Sequence, residues 1–282
     1  MKNLLNTFIL IGIAGLLVSC EETITLDLDQ TASKVVIEGL VTNETGKSYV
    51  KISKSTDFYQ TGSTERITNA VVKLNNDRGE EVIFAHNPSG EKKQEGLYFA
   101  SSSFKGEIGR TYNLSVSIGS QTYEAQDELF AVTKIDSLGY GVNDTEQEDP
   151  EIEGKFYETL LFTKEPSETK DYYLFKFYRN DTLDYSNDTD VYFTNDEGID
   201  EKIDGFPSPV YYSLKDTATV EMYSISRNAF LFFSDMSNLL NGDGGMFSPP
   251  PANPRTNWSN GALGFFQTSA VSRETIIIKD EK

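Results

Sequence analysis

One histidine, His86, is the only imidazole available for acid–base or metal chemistry. A Ser-His-Asp arrangement would have to use it as the base, and a multi-histidine zinc site is impossible. Residues 87–90 read Asn-Pro-Ser-Gly, which predicts a hairpin connection directly after it. A general base needs a nucleophile and an orienting partner around it. We therefore interpret His86 as an exposed turn residue and predict no catalytic residues.

Oxygen ligands for a hard cation are concentrated between residues 181 and 204. They are Asp181, Asp184, Asp188, Asp190, Asp196, Glu197, Asp200, Glu201 and Asp204. Calcium prefers such ligands, but the positions of the acids before Gly198 and Gly205 do not match an EF-hand loop. We interpret this stretch as an acidic, solvated loop, and predict no metal site and no cofactor.

The only cysteine, Cys20, ends a short apolar segment. Lys2 gives the segment a positive start, and residues 4–18 are mostly apolar. This pattern predicts a cleaved signal peptide over residues 1–19 and resembles a bacterial lipobox, in which the cysteine becomes the lipidated N-terminus. A lipidated Cys20 would attach the chain to a lipid bilayer and leave neither a disulfide nor a cysteine nucleophile.

Charge and composition narrow the class of protein. The formal net charge is −19 at pH 7, which excludes nucleic acid as a partner because phosphate binding needs cationic patches. Hydrophobic residues make up 38% of the chain and aromatic residues 12%, enough apolar surface to offset the entropy of ordering. A globular fold is expected after a tether over residues 20–33.

Residues 34–132 show an all-β pattern. About seven short apolar or alternating runs are separated by turn residues such as Asn76-Asp77-Arg78-Gly79. This density of strands is what an immunoglobulin-like or transthyretin-like β-sandwich requires. The fold class predicted for the whole chain is mainly β.

Residues 133–282 predict a second β-rich domain with one helix. Strands are expected at residues 156–162, 172–178, 191–193, 209–214, 219–223 and 275–279. The helix is expected near residues 226–240, with Ser226 as its N-cap and Asn241-Gly242 at its end. A Pro-rich loop follows near residues 242–257.

Aromatic residues offer the clearest candidates for binding. Those of residues 172–178 either pack in a core on both faces or form an open platform for a ligand or partner. Because loops on a rigid scaffold often carry binding, the Pro-rich loop region is the first candidate contact surface. Its candidate contact residues are Phe247, Pro249, Pro250 and Trp258.

Several motifs occur in an order that resembles the domain-of-unknown-function 4249 family. They are Glu21-Glu22 after the cysteine, Lys34-Val35-Val36-Ile37-Glu38-Gly39, Asn69-Ala70-Val71-Val72, Ile135-Asp136-Ser137-Leu138 and Ser259-Asn260-Gly261-Ala262-Leu263-Gly264. The resemblance implies an outer-membrane lipoprotein of the Bacteroidota. In this group, acidic residues such as Glu21 and Glu22 resemble a signal for export to the cell exterior.

The same resemblance implies a non-enzymatic accessory partner of a TonB-dependent outer-membrane receptor, acting in nutrient capture or uptake. One alternative is an independent cell-surface adhesin or ligand-binding lipoprotein. A second is a surface glycosidase, which would need paired carboxylates in a cleft.

Overall fold

The computed structural model describes residues 33–56, 64–143, 148–149, 152–164, 169–185, 187, 189–197, 202–242 and 252–279. Its β-strands and single described helix confirm the predicted mainly β class. Cys20, Glu21, Glu22, Phe247, Pro249 and Pro250 lie outside the described residues, as do the predicted signal peptide and most of the tether.

The first seven strands lie within the predicted N-terminal domain. They are β1 (Val35–Thr42), β2 (Tyr49–Lys54), β3 (Val71–Asn76), β4 (Glu81–His86), β5 (Leu97–Phe99), β6 (Thr111–Ile118) and β7 (Gln121–Glu128). A short 3-10 turn, Lys92–Gln94, connects β4 to β5. Each of these strands contains a run that the sequence predicted.

The remaining described elements follow in the second half of the chain. The strands are β8 (Ile135–Val142), β9 (Tyr157–Lys164), β10 (Tyr172–Arg179), β11 (Thr182–Asp184), β12 (Tyr192–Asn195), β13 (Lys202–Pro207), β14 (Thr217–Ser224), β15 (Phe266–Ser269) and β16 (Val271–Ile277). Helix α1 (Arg227–Leu240) separates β14 from β15.

Eight strands form one sheet in the order β15-β1-β2-β5-β4-β3-β6-β7. All neighbours are antiparallel except β15, which runs parallel to β1 with Gly39 opposite Phe266. A parallel neighbour needs a crossover connection, and here the connection between β1 and β15 spans residues 43–265, including the whole second half of the fold up to α1 and the segment after it. Residues 34–132 alone therefore do not complete this sheet.

The two edges of the eight-stranded sheet are joined by the segment that precedes β15. On the β7 side, Ser259 N donates to the Glu124 carbonyl at 2.8 Å, and Asn260 Nδ2 donates to the Thr122 carbonyl at 2.7 Å. On the β1 side, Ile37 N donates to the Leu263 carbonyl at 2.9 Å. The curled sheet encloses a core that includes Ile37, Val41, Val72, Leu114, Trp258 and Phe266.

Two smaller sheets make up the rest of the fold. One has the order β11-β10-β14-β16, with β12 also paired to β10, and the other has the order β13-β9-β8. A core that includes Tyr173, Phe177, Tyr212 and Met222 is packed within this half. Residues Ser33–Lys282 form one compact unit, and the predicted boundary between residues 132 and 133 lies within it.

Helix α1 begins and ends where local signals predict. The Ser226 side chain accepts a hydrogen bond from Ala229 N at 3.2 Å, and Asn241 is the C-cap. Ala229 is fully buried, while Leu239 and Leu240 are about 40% exposed. The predicted apolar face therefore packs along its first three turns and emerges into solvent at the C-terminal end.

Five strands depart from the sequence expectation. The predicted strand at residues 209–214 is absent from the described fold except for one bridge, between Tyr212 and Tyr157. The pairing with β9 is made instead by β13, whose register shifts between Asp204 and Phe206. Gly205 lies in this bulge with φ 81°, a conformation that favours glycine. Strands β8, β11, β13 and β15 were not anticipated.

Candidate functional site

A cavity of about 510 Å³ lies between the outer face of the eight-stranded sheet, strand β10 and helix α1. Its volume is in the range of small-molecule sites. The lining residues are Val36, Glu38, Gly39, Leu40, Tyr49, Leu174, Lys176, Tyr185, Phe232, Phe233, Met236, Asn253, Pro254, Leu263, Gly264, Phe265 and Gln267. They come from elements far apart in sequence, so only the complete fold forms this cavity.

The floor of the cavity follows from strand alternation in β1. Ile37 and Val41 point into the core, so the intervening Glu38 and Leu40 point to the opposite face, which is the cavity. Leu40 is opposite Tyr49 on β2 and Gln267 on β15. These three side chains form one row across neighbouring strands.

Aromatic side chains form much of the wall. Phe232 on α1 stacks on Phe265 with ring centroids 5.1 Å apart, and it contacts Phe233 edge to face at 5.3 Å. Phe230 and Phe193 hold the helix from the other side in a T-shaped contact at 5.2 Å. Packing of this kind fixes the helix against the sheet and keeps an apolar wall beside the cavity.

Gly264 allows residues 263–265 to lie close to strand β1. Its φ is 91°, and a Cβ atom there would lie 2.3 Å from the Ile37 carbonyl oxygen. Only glycine allows this close approach, which lets Leu263 and Phe265 hydrogen-bond to β1. The edge of the cavity therefore depends on this one residue.

Lys176 brings a positive charge to the mainly apolar cavity. Its Nζ lies 4.7 Å from the centroid of the Tyr223 ring, a cation–π contact. Burial lowers the pKa of the Lys176 ammonium, and the charge of Glu221 partly offsets that effect. Among the residues that the structure describes, none forms a hydrogen bond or ion pair with this ammonium.

The carboxylate opposite Lys176 in the sheet, that of Glu221, already has other hydrogen-bond partners. Glu221 lies opposite Lys176 on β14, but Arg273 binds its Oε1, while Tyr178 and Tyr223 donate to Oε2 at 2.9 and 2.5 Å. Burial alone would raise the pKa of Glu221, but these three partners hold it below the usual value. Arg273 also binds Glu44 through two nitrogens at 2.9 and 3.0 Å.

An ion pair fixes the C-terminal end of the Pro-rich loop beside the cavity. Arg255 donates to Asp235 on α1 through Nε at 2.6 Å, Nη2 at 3.0 Å and its backbone N at 3.0 Å. Hydrogen bonds from Arg255 hold the pKa of Asp235 below its ordinary value. Asn253 and Pro254, which line the cavity, are thereby tied to the helix that forms its wall.

The family model for a domain of unknown function, DUF4249, matches residues 21–275. The chain belongs to the DUF4249 family. A search of curated proteins found no match. No helix in the described part of this DUF4249 chain is long and apolar enough to cross a membrane.

Trp258 is the one predicted contact residue that the described DUF4249 structure includes, and its position corrects the expectation of an exposed side chain. It is 5% exposed and packs against Phe266 in the core of the eight-stranded sheet. Its indole Nε1 donates to the Ile37 carbonyl at 3.0 Å. Trp258 closes the sheet in this structure and is not available at the surface.

His86 has a structural position in the DUF4249 chain. Its Nε2 accepts a hydrogen bond from Gly96 N at 3.1 Å, and its ring lies 5.0 Å from that of Tyr98. The side chain is half-buried at the end of β4, so it is less exposed than the turn prediction implied. It helps to hold β4 against the start of β5.

The described part of the acidic stretch between residues 181 and 204 does not form a metal site. Within the described residues, no group of three or more His, Cys, Asp or Glu side chains is placed to hold a metal ion. Asp184 instead pairs with the buried Lys155 at 3.0 Å. Asp188, Asp200 and Glu201 lie outside the described residues.

Strand β10 resolves the two interpretations of its aromatic residues. Tyr173, Phe175 and Phe177 are less than 10% exposed on one face, and Leu174 is equally buried on the other. The aromatic residues of β10 are therefore mainly core. The cavity-lining residue that the sequence did not single out in the same strand is Lys176, and the only available signal was a lone cation within an aromatic run.

Proposed function

We propose that this chain is a non-catalytic, lipid-anchored binding protein of the outer membrane that faces the cell exterior. In this proposal it captures a small organic nutrient and serves as an accessory subunit of a TonB-dependent receptor. The cavity beside α1 is the observation that carries the capturing role. It is built on rigid strands, it is mainly apolar, and it contains few polar groups, as small-molecule sites do.

The sequence supports the location and the partner in this proposal. The lipobox-like segment ending at Cys20 and the following Glu21 and Glu22 support a lipid anchor on the cell exterior. The family resemblance supports a receptor partner.

The end of α1 is the proposed face for that receptor. Leu239 and Leu240 are adjacent, apolar and about 40% exposed. The Pro-rich loop, with the predicted contact residues Phe247, Pro249 and Pro250, follows them directly in the chain. Exposed apolar side chains that adjoin a loop fit a partner contact better than a solvated surface.

The proposal is tested by affinity purification of the tagged lipoprotein from its native membrane in mild detergent, followed by mass spectrometry. We expect a TonB-dependent receptor in stoichiometric amount. Recovery of the lipoprotein alone would contradict the accessory role and favour an independent adhesin or ligand-binding protein.

A pair of variants makes the test specific to the proposed face. Leu239→Glu with Leu240→Glu should reduce the recovered receptor, because two charges would have to be desolvated in the contact. Ile83→Glu is the matched control, since Ile83 is 63% exposed on β4. Equal receptor recovery with both proteins would show that the receptor does not bind at the end of α1.

A further inference from the structure

The Lys176 ammonium has hydrogen-bonding capacity that the described protein does not use. An ammonium carries three N–H donors, and within the described residues this one contacts only the face of the Tyr223 ring. Desolvation of a cation without a hydrogen-bonding partner is unfavourable. Its Nζ belongs to a residue that lines the cavity, so an acceptor entering there can reach it.

Nearby protein carboxylates do not supply that acceptor. Glu38, the other charged residue lining the cavity, accepts a hydrogen bond from Lys51 at 2.9 Å. Both oxygens of Glu221 are engaged by Arg273, Tyr178 and Tyr223. Glu38 and Glu221 are therefore each satisfied by partners other than Lys176.

The rest of the cavity determines the other part of the ligand. Phe232, Phe233 and Phe265 form an apolar wall, with Leu40 and Met236 also in the lining. A wall of this type favours an apolar, preferably flat body over a sugar with many hydroxyl groups.

We propose that the cavity binds a small amphipathic anion, with an apolar or aromatic body against α1 and one carboxylate or sulfonate group on Lys176. This inference rests on the capturing role proposed above and adds the chemical class of the ligand. Charge complementarity carries it, because Lys176 is the one lining cation and lacks a hydrogen-bonded counter-ion within the described residues.

The test uses two fluorescent probes that share a ring system. 8-Anilinonaphthalene-1-sulfonate carries an anionic group, and N-phenyl-1-naphthylamine is its neutral counterpart. The protein is produced from residue 21 onward, which leaves out the predicted signal peptide and lipid acceptor, keeps the compact unit Ser33–Lys282 and allows titration without detergent. We expect saturable binding of both probes, with tighter binding of the sulfonate.

Substitution of Lys176 separates charge from shape. Lys176→Met keeps the length and removes the charge, so sulfonate binding should weaken by about tenfold or more, the value of one hydrogen bond to a charged group. Binding of the neutral probe should not change. Lys176→Arg should keep the preference for the sulfonate. Lys73→Met, which removes an exposed lysine on β3, is the control for net charge.

Met236→Trp tests the location of the bound probe. The larger side chain fills the cavity from α1 and should abolish binding of both probes, while circular dichroism reports an intact fold. Persistent binding to this variant would place the probes elsewhere and overturn the inference.

The remaining outcomes separate this inference from the proposed function. If Lys176→Met leaves sulfonate binding unchanged, or weakens both probes equally, the anionic ligand class is wrong. If neither probe binds the parent protein, the cavity inference fails, whereas receptor co-purification would still support the accessory role. If the probes bind as expected but no receptor co-purifies, the proposed ligand class is supported and the accessory role is contradicted.

Discussion

The indole nitrogen of Trp258 donates a hydrogen bond to the carbonyl oxygen of Ile37, joining residues 221 positions apart. Ile37 is on the first strand, and Trp258 is in the segment that closes the eight-stranded sheet. Both side chains are buried in the same core. The eight-stranded sheet therefore depends on residues near the end of the chain for part of its core.

We expect Trp258 to be among the most sensitive positions for stability. Trp258→Ala should lower the free energy of unfolding by about 3–5 kcal/mol through lost packing and a cavity. Trp258→Phe keeps most of the packing but loses the hydrogen bond, so a smaller loss of about 1–2 kcal/mol is expected. Urea unfolding followed by circular dichroism measures both. Phe206→Ala, at a side chain that is 55% exposed, is the control and should change little. A Trp258→Ala protein as stable as this control would contradict the assignment of Trp258 to the core.

Asp127 should make stability depend on pH. Its carboxylate is buried and accepts a hydrogen bond from Thr268 N at 2.8 Å. Burial raises the pKa of Asp127 from 3.8 to about 6, although hydrogen bonds from Ser226 and Thr268 oppose the shift. The folded protein therefore holds this proton more tightly than the unfolded chain. The stability contributed by protonated Asp127 is present below about pH 4 and is lost as the pH rises through about 6.

Asp127→Asn removes this titration. Between pH 4 and pH 7, the free energy of unfolding of the parent should fall relative to that of the variant by about 2 kcal/mol. Urea titrations at intervals across this range provide the measurement. Curves that stay parallel would show that Asp127 does not titrate in this way.

Gly264 should not tolerate a side chain. Gly264→Ala would place Cβ against the Ile37 carbonyl and force a strained φ, so we expect a loss of about 3 kcal/mol or more. Gly261→Ala is the matched control, because Gly261 has φ 73° but open space around its Cβ position. It should lose only about 1 kcal/mol from backbone strain. Thermal unfolding measures the stability of the two variants. Equal losses of stability would show that the close approach to the Ile37 carbonyl is not the cause.

Arg273 should contribute more through Glu221 than through Glu44. Glu221 is 5% exposed, so Arg273→Met leaves a buried carboxylate without its cation and should cost about 2–3 kcal/mol. Glu44→Gln weakens only the more exposed half of the network and should cost less than about 1 kcal/mol. Chemical denaturation of both proteins gives the comparison. A larger effect from Glu44→Gln would reverse this assignment.

Local signals in the sequence predicted much of this fold. Ser226 and Asn241 mark the ends of α1 through interactions within a few residues, and the Asn76–Gly79 turn joins two adjacent strands. The chain itself encodes such features, because the groups that satisfy one another are close in sequence. Helix α1 and the hairpins could therefore be predicted.

Long-range pairing could not be predicted in the same way. Strand β15 has four residues, three of them polar, and its parallel pairing to β1 depends on a partner more than 200 residues away. β13 contains Gly205 and ends at Pro207, both of which predict a loop when read locally. Trp258 follows a Pro-rich stretch, and nothing in the neighbouring residues indicates that it enters the core.

The cavity was invisible from the sequence for a related reason. Lys176 contacts Tyr223, and Leu40 lines the same cavity as helix α1, only because four separate elements, β1, β10, β14 and α1, converge. The sequence identified the aromatic strand but did not single out the cation within it, which lines the cavity. Its expectation of a contact loop remains a prediction for Phe247, Pro249 and Pro250.

The closing segment also dictates an order of events in folding. Hairpins such as β3–β4 and β6–β7 can form early because their partners are adjacent, whereas β1 has a bare edge until residues 257–269 arrive. Contacts of such large sequence separation slow folding and leave unpaired strands exposed meanwhile. Nearly the whole chain must be available before the first strand is protected, so the nascent protein has to be shielded from aggregation for most of its synthesis.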